Sequence, residues 1–249
     1  MEGNNRLGVT VLQVENRINI KYMRIIASIN QVLCQKLGYN YNYLFMQEAM
    51  INKFHGPNKS RYRAAQCAKL GVMSEFLNTS TSTTMIFLDS DAWIENPSYL
   101  YQLVNELNKN KSKQGCFSRD PYRLYYTYIN SGSFILKIND YTRDMYTSII
   151  NNFFHRGKSL FPLTRDSFDQ YYISESVYEN KEDFFILKPD IINTPKGRVL
   201  RHDWRKEKEL VEADIVRRYE LLIDQSIDKD SKFNFSGSLD LHEYPNLER

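Results

Sequence analysis

Short apolar, β-branched runs alternate with longer segments of helical period along the first hundred residues. Gly8 to Val14 (GVTVLQV) predicts a buried first strand. From Ile18 to Leu37 the apolar positions Tyr22, Ile25, Ile26, Ile29, Val32, Leu33 and Leu37 recur at the spacing of one helix face. Gly38 follows where a chain commonly leaves a helix in the left-handed conformation. Tyr41 to Met46 (YNYLFM) reads as a second strand, and Pro57 to Leu77 as a second helix with Ala64, Cys67, Ala68, Val72, Met73 and Phe76 turned inward. A polar turn, Asn78 to Thr83, precedes the strand Thr84 to Leu88 (TMIFL), which runs directly into Asp89-Ser90-Asp91. Asn96-Pro97 then supplies the N-cap and first residue of a helix carrying Leu100, Leu103, Val104 and Leu107.

This alternation predicts an α/β fold, a mostly parallel, Rossmann-like sheet with helices on both faces. Ligands of such sheets bind beyond the carboxyl ends of the strands, and Asp89 and Asp91 stand at such an end. The second half is less regular. Gln114 to Ser118 and Ser133 to Ile138 read as strands flanking a Tyr-rich loop (Tyr122, Tyr125, Tyr126, Tyr128). Asn139 can cap a helix running towards Phe154, and Asp166 to Tyr178 and Trp204 to Ile223 are further helices. The expected organisation is one domain over residues 1–225, followed by a polar tail over 226–249.

Composition adds bounds. A chain of 249 residues with 42% hydrophobic and 14% aromatic residues can bury a sizeable core and is not disordered. Its formal net charge of +3 falls short of a nucleic-acid footprint, so no nucleic-acid partner is expected. The three cysteines, Cys34, Cys67 and Cys116, are widely spaced and form no CxxC pair, which reads as buried, reduced thiols. No basic leader with a long apolar core opens the sequence, and no window approaches a membrane span. The expected site of action is the cytoplasm.

Two carboxylates alternating around Ser90 at a strand end can hold Mg²⁺ or Mn²⁺ and leave positions open for phosphate oxygens. The plain alternative is a polar turn. The wider segment Phe87 to Pro97 (FLDSDAWIENP) resembles the metal-binding signature of GT-A glycosyltransferases. It is especially similar to the galactosyltransferase/xylosyltransferase group, glycosyltransferase family 34, which includes yeast α-mannan and plant xyloglucan enzymes. Further segments match that family in order. Asn16, Tyr22 and Leu37-Gly38-Tyr39 resemble its opening Asn…Tyr…His-Gly-Tyr, with Leu37 in place of His. Ala68-Lys69-Leu70 resembles its Ala-Lys-Ile, and Asn130-Ser131-Gly132-Ser133-Phe134 its Asn-Ala-Gly-Xaa-Phe turn. Asp169-Gln170 resembles its Asp-Gln pair, and His202 its late histidine. The resemblance spans about Gly8 to Lys206. Related small enzymes occur in large DNA viruses, and a chain rich in Asn, Lys, Ile and Tyr suits an AT-rich viral genome.

The resemblance implies roles residue by residue. Asp89, Asp91 and His202 would ligate the metal, with Ser90 on the nucleotide side of the motif. Lys69 would lie near the phosphates or Asp89. Asn130 and Ser131 can hydrogen-bond sugar hydroxyls, and Gly132 permits close backbone approach to a ligand. Asp169 and Gln170 suit donor-sugar or acceptor hydroxyls, and Asp169 can serve as a general base if the enzyme inverts. Arg205 and Lys206 can clamp phosphate oxygens, although the glycine the family carries before its late lysine is replaced here by Trp204 and Arg205. At the exit of the first strand, Gln13 and Asn16 can read uracil edges and Arg17 can approach phosphate. His55, His155 and His242 form no ligand spacing.

The expected activity is metal-dependent transfer of a monosaccharide from an NDP-sugar, foremost a UDP-sugar, to a glycan or glycoprotein hydroxyl, with retention of configuration as the family implies. Two other classes compete. A non-catalytic nucleotide-sugar or glycan-binding protein would not need the intact Asp-x-Asp and late His. A nucleotidyltransferase normally shows a Gly-rich phosphate loop near its N-terminus, and none is present.

Overall fold

The computed structural model describes residues 8–16, 21–54, 61–120, 128–155, 169–204 and 208–224. In chain order the first half comprises β1 (Val9–Glu15), α1 (Lys21–Leu37), β2 (Asn40–Phe45), α2 (Glu48–Lys53), α3 (Arg61–Thr79), β3 (Thr84–Asp89), β4 (Ala92–Ile94) and α4 (Pro97–Lys109). There follow β5 (Gly115–Arg119), β6 (Ile129–Lys137), α5 (Asp140–His155), α6 (Asp169–Glu179), β7 (Phe184–Leu187), β8 (Ile192–Thr194), β9 (Leu200–His202) and α7 (Lys208–Asp224).

The main sheet has the order β2-β1-β3-β6-β5-β7. β1 lies between β2 and β3 and is parallel to both, as the strand–helix alternation requires. β6 then inserts antiparallel between β3 and β5, and β7 pairs parallel with β5. The sheet is therefore mostly parallel, with one reversed strand near its centre.

Every residue of β1 is buried, which fits its mainly apolar, β-branched character. Along β3 the side chains alternate between two cores. Ile86 and Leu88 pack with α1, α4 and α7, whereas Met85 and Phe87 pack with α3, α5 and α6. Phe134 stacks between Phe87 and Phe117, with centroids 4.9 and 5.0 Å away, and so ties three adjacent strands together. Helices thus cover both faces, as predicted.

Local signals behaved as physics dictates. Gly38 has φ +73° and ends α1. Asn96 caps α4, its Oδ1 accepting from Tyr99 N at 3.1 Å. Asn139 and Thr142 cap α5 reciprocally, Thr142 N donating to Asn139 Oδ1 and Asn139 N to Thr142 Oγ1. Cys34, Cys67 and Cys116 are buried and free, and burial pushes the Cys34 thiol up to about 12. Among the described residues no helix is long and apolar enough to cross a membrane.

Several expectations need correction. β6 begins at Ile129, so Asn130, Ser131 and Gly132 are strand residues and do not form a turn ahead of a strand. Val32 is exposed and Phe76 only half-buried, because each lies at the margin of its helix face. Trp204 precedes α7 and is not helical. α2, β4, β7, β8 and β9 are too short to carry a readable period. Tyr122, Tyr125, Tyr126, Arg17, Arg205, Lys206, His55, His242, the side chain of His155 and the tail over 226–249 lie outside the described residues.

Beside the main sheet, β4, β9 and β8 form a second, three-stranded sheet in that order. β4 starts immediately after the Asp-x-Asp segment. Its antiparallel pairing with β9 sets Ala92 opposite His202.

Candidate functional site

Asp89 is the last residue of β3, and Ser90 and Asp91 turn the chain into β4. Buried amides hold this turn from behind. Gln13 on β1 is fully buried, and its Nε2 faces the carbonyls of Asp89 (3.0 Å), Ser90 (3.3 Å) and Ala92 (3.2 Å). Its Oε1 accepts from Asn30 Nδ2 at 3.0 Å and Tyr41 OH at 2.6 Å. Asn30, also fully buried, reaches the same segment, accepting from Ile94 N at 2.9 Å and donating to Ala92 O at 3.1 Å. The expected base-reading role for Gln13 is therefore corrected. In a strand with both faces covered its amide points inward, and its hydrogen bonds brace the acidic turn.

His202 ends β9, and strand pairing delivers it to the aspartates. Its Nε2 lies 3.0 Å from Asp91 Oδ1 and 3.9 Å from Asp89 Oδ2. One ligand atom each from Asp89, Asp91 and His202 fall within 4.8 Å of one another, a donor set able to hold a metal ion. Burial lowers the affinity of the imidazole for a proton, but the charges of Asp91 and Asp89 outweigh it and hold the His202 pKa above its ordinary value. On the other ring edge, Nδ1 lies 2.8 Å from Asn193 Oδ1.

Gly132 packs against the Cε1 and Nδ1 atoms of that imidazole. A Cβ at this position would collide with His202 Cε1 and Nδ1 and come within 2.8 Å of Asn193 Oδ1. Close approach is the reason for the glycine, and what approaches is a side chain of the protein itself, where the sequence suggested a ligand.

Beside the metal-ligand set, the register between β5 and β6 slips, with Cys116 facing Ile135 but Ser118 facing Asn130. The resulting bulge turns Ser131 and Gly132 towards the cavity. Ser174 of α6 binds both backbone groups of Ile129, at 3.1 and 3.3 Å, and holds the start of α6 beside this bulge. Asp169 and Gln170, the first two residues of α6, are brought there together. Ser131 Oγ donates to Asp169 Oδ2 at 3.2 Å, and Ser131 N to Gln170 Oε1 at 3.4 Å. Gln170 Nε2 donates to the buried Asp120 at 2.8 Å.

Asp169 is buried, and burial raises its pKa to about 6. Lys69 and the Ser131 hydroxyl pull it down, while Asp89 adds to the rise. Lys69, on α3, forms an ion pair with Asp89. Burial lowers the lysine pKa, but Asp89, Asp169 and Asp91 together reverse this and hold it above its ordinary value.

These groups line one cavity of about 440 Å³. It contains all the expected residues except Gln13 and those outside the described set. Its lining includes Asp89, Ser90, Asp91 and His202 together with Asn130, Ser131, Gly132, Asp169 and Gln170. Lys69 lines it from α3, and Asn16 from the exit of β1. Sequence reasoning missed Glu15, Gln66 and Trp204 in the lining, and Asp120 and Asn193 just behind it. A polar residue at the exit of the first strand was a usable signal for Glu15. The others have only their spatial neighbours to mark them.

No family model matches the chain, and no curated protein matches it in sequence. Solved structures do match in fold. One is a glycosyltransferase involved in the glycosylation of the major capsid of PBCV-1, with TM-score 0.60 and 14% identity, covering 84% of this chain and 99% of that one. Another is an active-site Gln-to-Glu mutant of LgtC, with TM-score 0.52 and 7% identity, covering 85% and 95%. A third is the glycosyltransferase GlyE of Streptococcus pneumoniae TIGR4, with TM-score 0.52 and 8% identity, covering 87% of this chain but 62% of that one. At these identities the likeness is one of architecture, and the chain has the GT-A fold found in glycosyltransferases.

Proposed function

We propose that this protein is a metal-dependent glycosyltransferase that moves a monosaccharide from an NDP-sugar, foremost a UDP-sugar, to a glycan or glycoprotein hydroxyl. The observation that carries the reading is the convergence of Asp89, Asp91 and His202 on the wall of a cavity that also holds Asp169 and Gln170. Two carboxylates and an imidazole fit Mn²⁺ or Mg²⁺. Bound there, the ion would neutralise the diphosphate and improve it as a leaving group.

The remaining roles belong to the chain itself. Asn16, with Glu15 beside it, lines the end of the cavity nearest β1, where a ribose or base would sit. Lys69 places a cation next to Asp89, within reach of phosphate oxygens. Ser131, Asp169 and Gln170 form a connected hydrogen-bonding wall suited to sugar hydroxyls. Asn130 spends its Oδ1 on Gly132 N and Asn193, which leaves Nδ2 as its donor for a sugar. Arg17, Arg205 and Lys206 stay assigned to phosphate contacts by the motif resemblance alone.

Retention of configuration follows the same resemblance. The PBCV-1 neighbour, described as acting in capsid glycosylation, supports a protein-linked glycan as acceptor and a viral setting. Buried free thiols support a reducing, cytoplasmic site of action.

The test is a thermal-shift panel of NDP-sugars with and without Mn²⁺, repeated with Asp91→Asn. One NDP-sugar should stabilise the wild type only with metal, and the variant should lose the response. Metal-independent binding, or an unchanged response in Asp91→Asn, would sink the reading. NMR of the product anomer decides retention against inversion.

A further inference from the structure

A second cleft, of about 490 Å³, opens where the segment between β8 and β9 meets the start of α4 and the side of α7. Among the described residues it shares no lining position with the cavity of the metal-ligand set. Arg201 and His202 are neighbours on β9, and alternation along the strand sends one to each. Among the described residues four cations line the cleft, Lys196, Arg198, Arg201 and Arg218, against one carboxylate, Glu95. Two of the cations are already paired. Arg198 meets Asp190 at 3.0 Å, and Arg201 meets Asp214 at 2.6 Å and the fully buried Asp203 at 3.3 Å. The Arg201 guanidinium also lies over the Trp93 ring, 5.1 Å from its centroid. These contacts fix its position.

The other two cations are not neutralised in this way. Arg218 donates to the backbone carbonyl of Glu95, which carries no charge to offset its own. Its Nε is buried and finds no acceptor among the described residues. Burial lowers the Arg218 pKa, and the charge of Glu95 acts against that. The Glu95 carboxylate is itself engaged, accepting from Trp93 Nε1 at 2.8 Å. Among the described residues Lys196 Nζ has no partner. Asn96 and Tyr99 bring the amino end of α4, the positive end of its dipole, to the same cleft. Cavity, unpaired cations and helix dipole thus favour the same kind of occupant. We propose that this cleft binds a small phosphate monoester, its phosphoryl group held chiefly by Lys196 and Arg218, with Arg198 and Arg201 completing the basic wall. The volume exceeds that of a bare phosphate and falls in the range of small-molecule sites. Glu95 in the lining would repel a polyphosphate but can accept from a hydroxyl, which favours the monophosphate of a polyol. The inference is independent of the metal-site reading.

The metal-free full chain is titrated by calorimetry at low ionic strength with glycerol 3-phosphate and, as a control, with glycerol. The phosphate ester should bind one-to-one, and glycerol should give no response. Lys196→Ala and, separately, Arg218→Gln should each weaken binding about 10- to 100-fold, the scale of a lost charge-assisted hydrogen bond. Lys196 lies in the loop before β9, so its replacement decides the matter even if Arg218→Gln fails to fold. Lys69→Met removes the cation of the other cavity and should leave the affinity unchanged. The inference is overturned if wild type shows no saturable binding, if Lys196→Ala binds as wild type does, or if Lys69→Met alone abolishes binding. A protein that ignores glycerol 3-phosphate but sediments with phosphatidic-acid vesicles would carry a membrane-surface site, which also overturns it.

Discussion

His202 occupies the space into which a side chain at residue 132 would project. The imidazole lies so close to Gly132 that a Cβ there would overlap two ring atoms. The glycine on β6 and the histidine on β9 are therefore a matched pair, and the small sheet can close only while residue 132 lacks a side chain.

Gly132→Ala should push the ring out of position, because neither the β6 backbone nor the buried imidazole has room to give. Mn²⁺ affinity should fall at least about tenfold, the scale expected when a ligand loses its orientation. Far-ultraviolet circular dichroism should change little. Calorimetry of the variant beside wild type checks this, and an unchanged affinity would show that the ring is free to move.

Asp169 should make the protein less stable than its sequence allows. Its folded pKa, about 6, lies above the ordinary value of 3.8. Between those values the folded state binds more proton than the unfolded state, so stability falls as pH rises through this window, and the whole penalty is present above it. Asp169→Asn should stabilise the metal-free protein at neutral pH by on the order of 3 kcal/mol. The advantage should shrink steadily towards pH 4, and transfer activity should be lost. Urea titrations across that pH range give the measurement. A variant that is less stable than wild type at neutral pH would contradict the assignment.

Lys69 neutralises acidic charge before any metal arrives. Its raised pKa means that, while its carboxylate partners are ionised, the lysine stabilises the fold at pH values below its ordinary range and loses that contribution as pH rises beyond it. Lys69→Met leaves Asp89, Asp91 and Asp169 facing one another without their cation. The metal-free melting temperature should drop, and the rise on adding Mn²⁺ should exceed that of wild type. Thermal shift in low salt, with and without Mn²⁺, separates the two effects. A smaller rise would instead mean that Lys69 assists metal binding.

Gln13→Leu should act on the fold of the motif and leave nucleotide recognition alone. It removes the donor shared by three backbone carbonyls and the acceptor shared by Asn30 and Tyr41, at about 1–3 kcal/mol for each buried group left unpaired, while Ala92 O keeps Asn30. Urea denaturation should report that loss. The order of preference among UDP-, GDP- and ADP-sugars should stay as in wild type. A changed preference would return Gln13 to the base site.

Contiguous residues were enough to determine much of this protein. An apolar run such as TMIFL makes a strand whatever surrounds it, and Asp89-Ser90-Asp91 follows at its end. Gly38, Asn96-Pro97 and Asn139 act within one turn of a helix, so their signals are complete in a few residues. The family-like segments drew attention to Lys69, Asn130 to Gly132, Asp169-Gln170 and His202, which line one cavity. Tertiary structure alone decided which way these groups face. His202 and Asp91 are 111 positions apart, and three-residue strands too short to show a period bring them together. Gln13 is a brace behind the acidic turn because both faces of β1 are covered. Asn193 is marked out only by its partners on β6 and β9. Hydrogen-bond direction and close packing depend on atoms from distant segments, and no local pattern of apolar and polar residues records them.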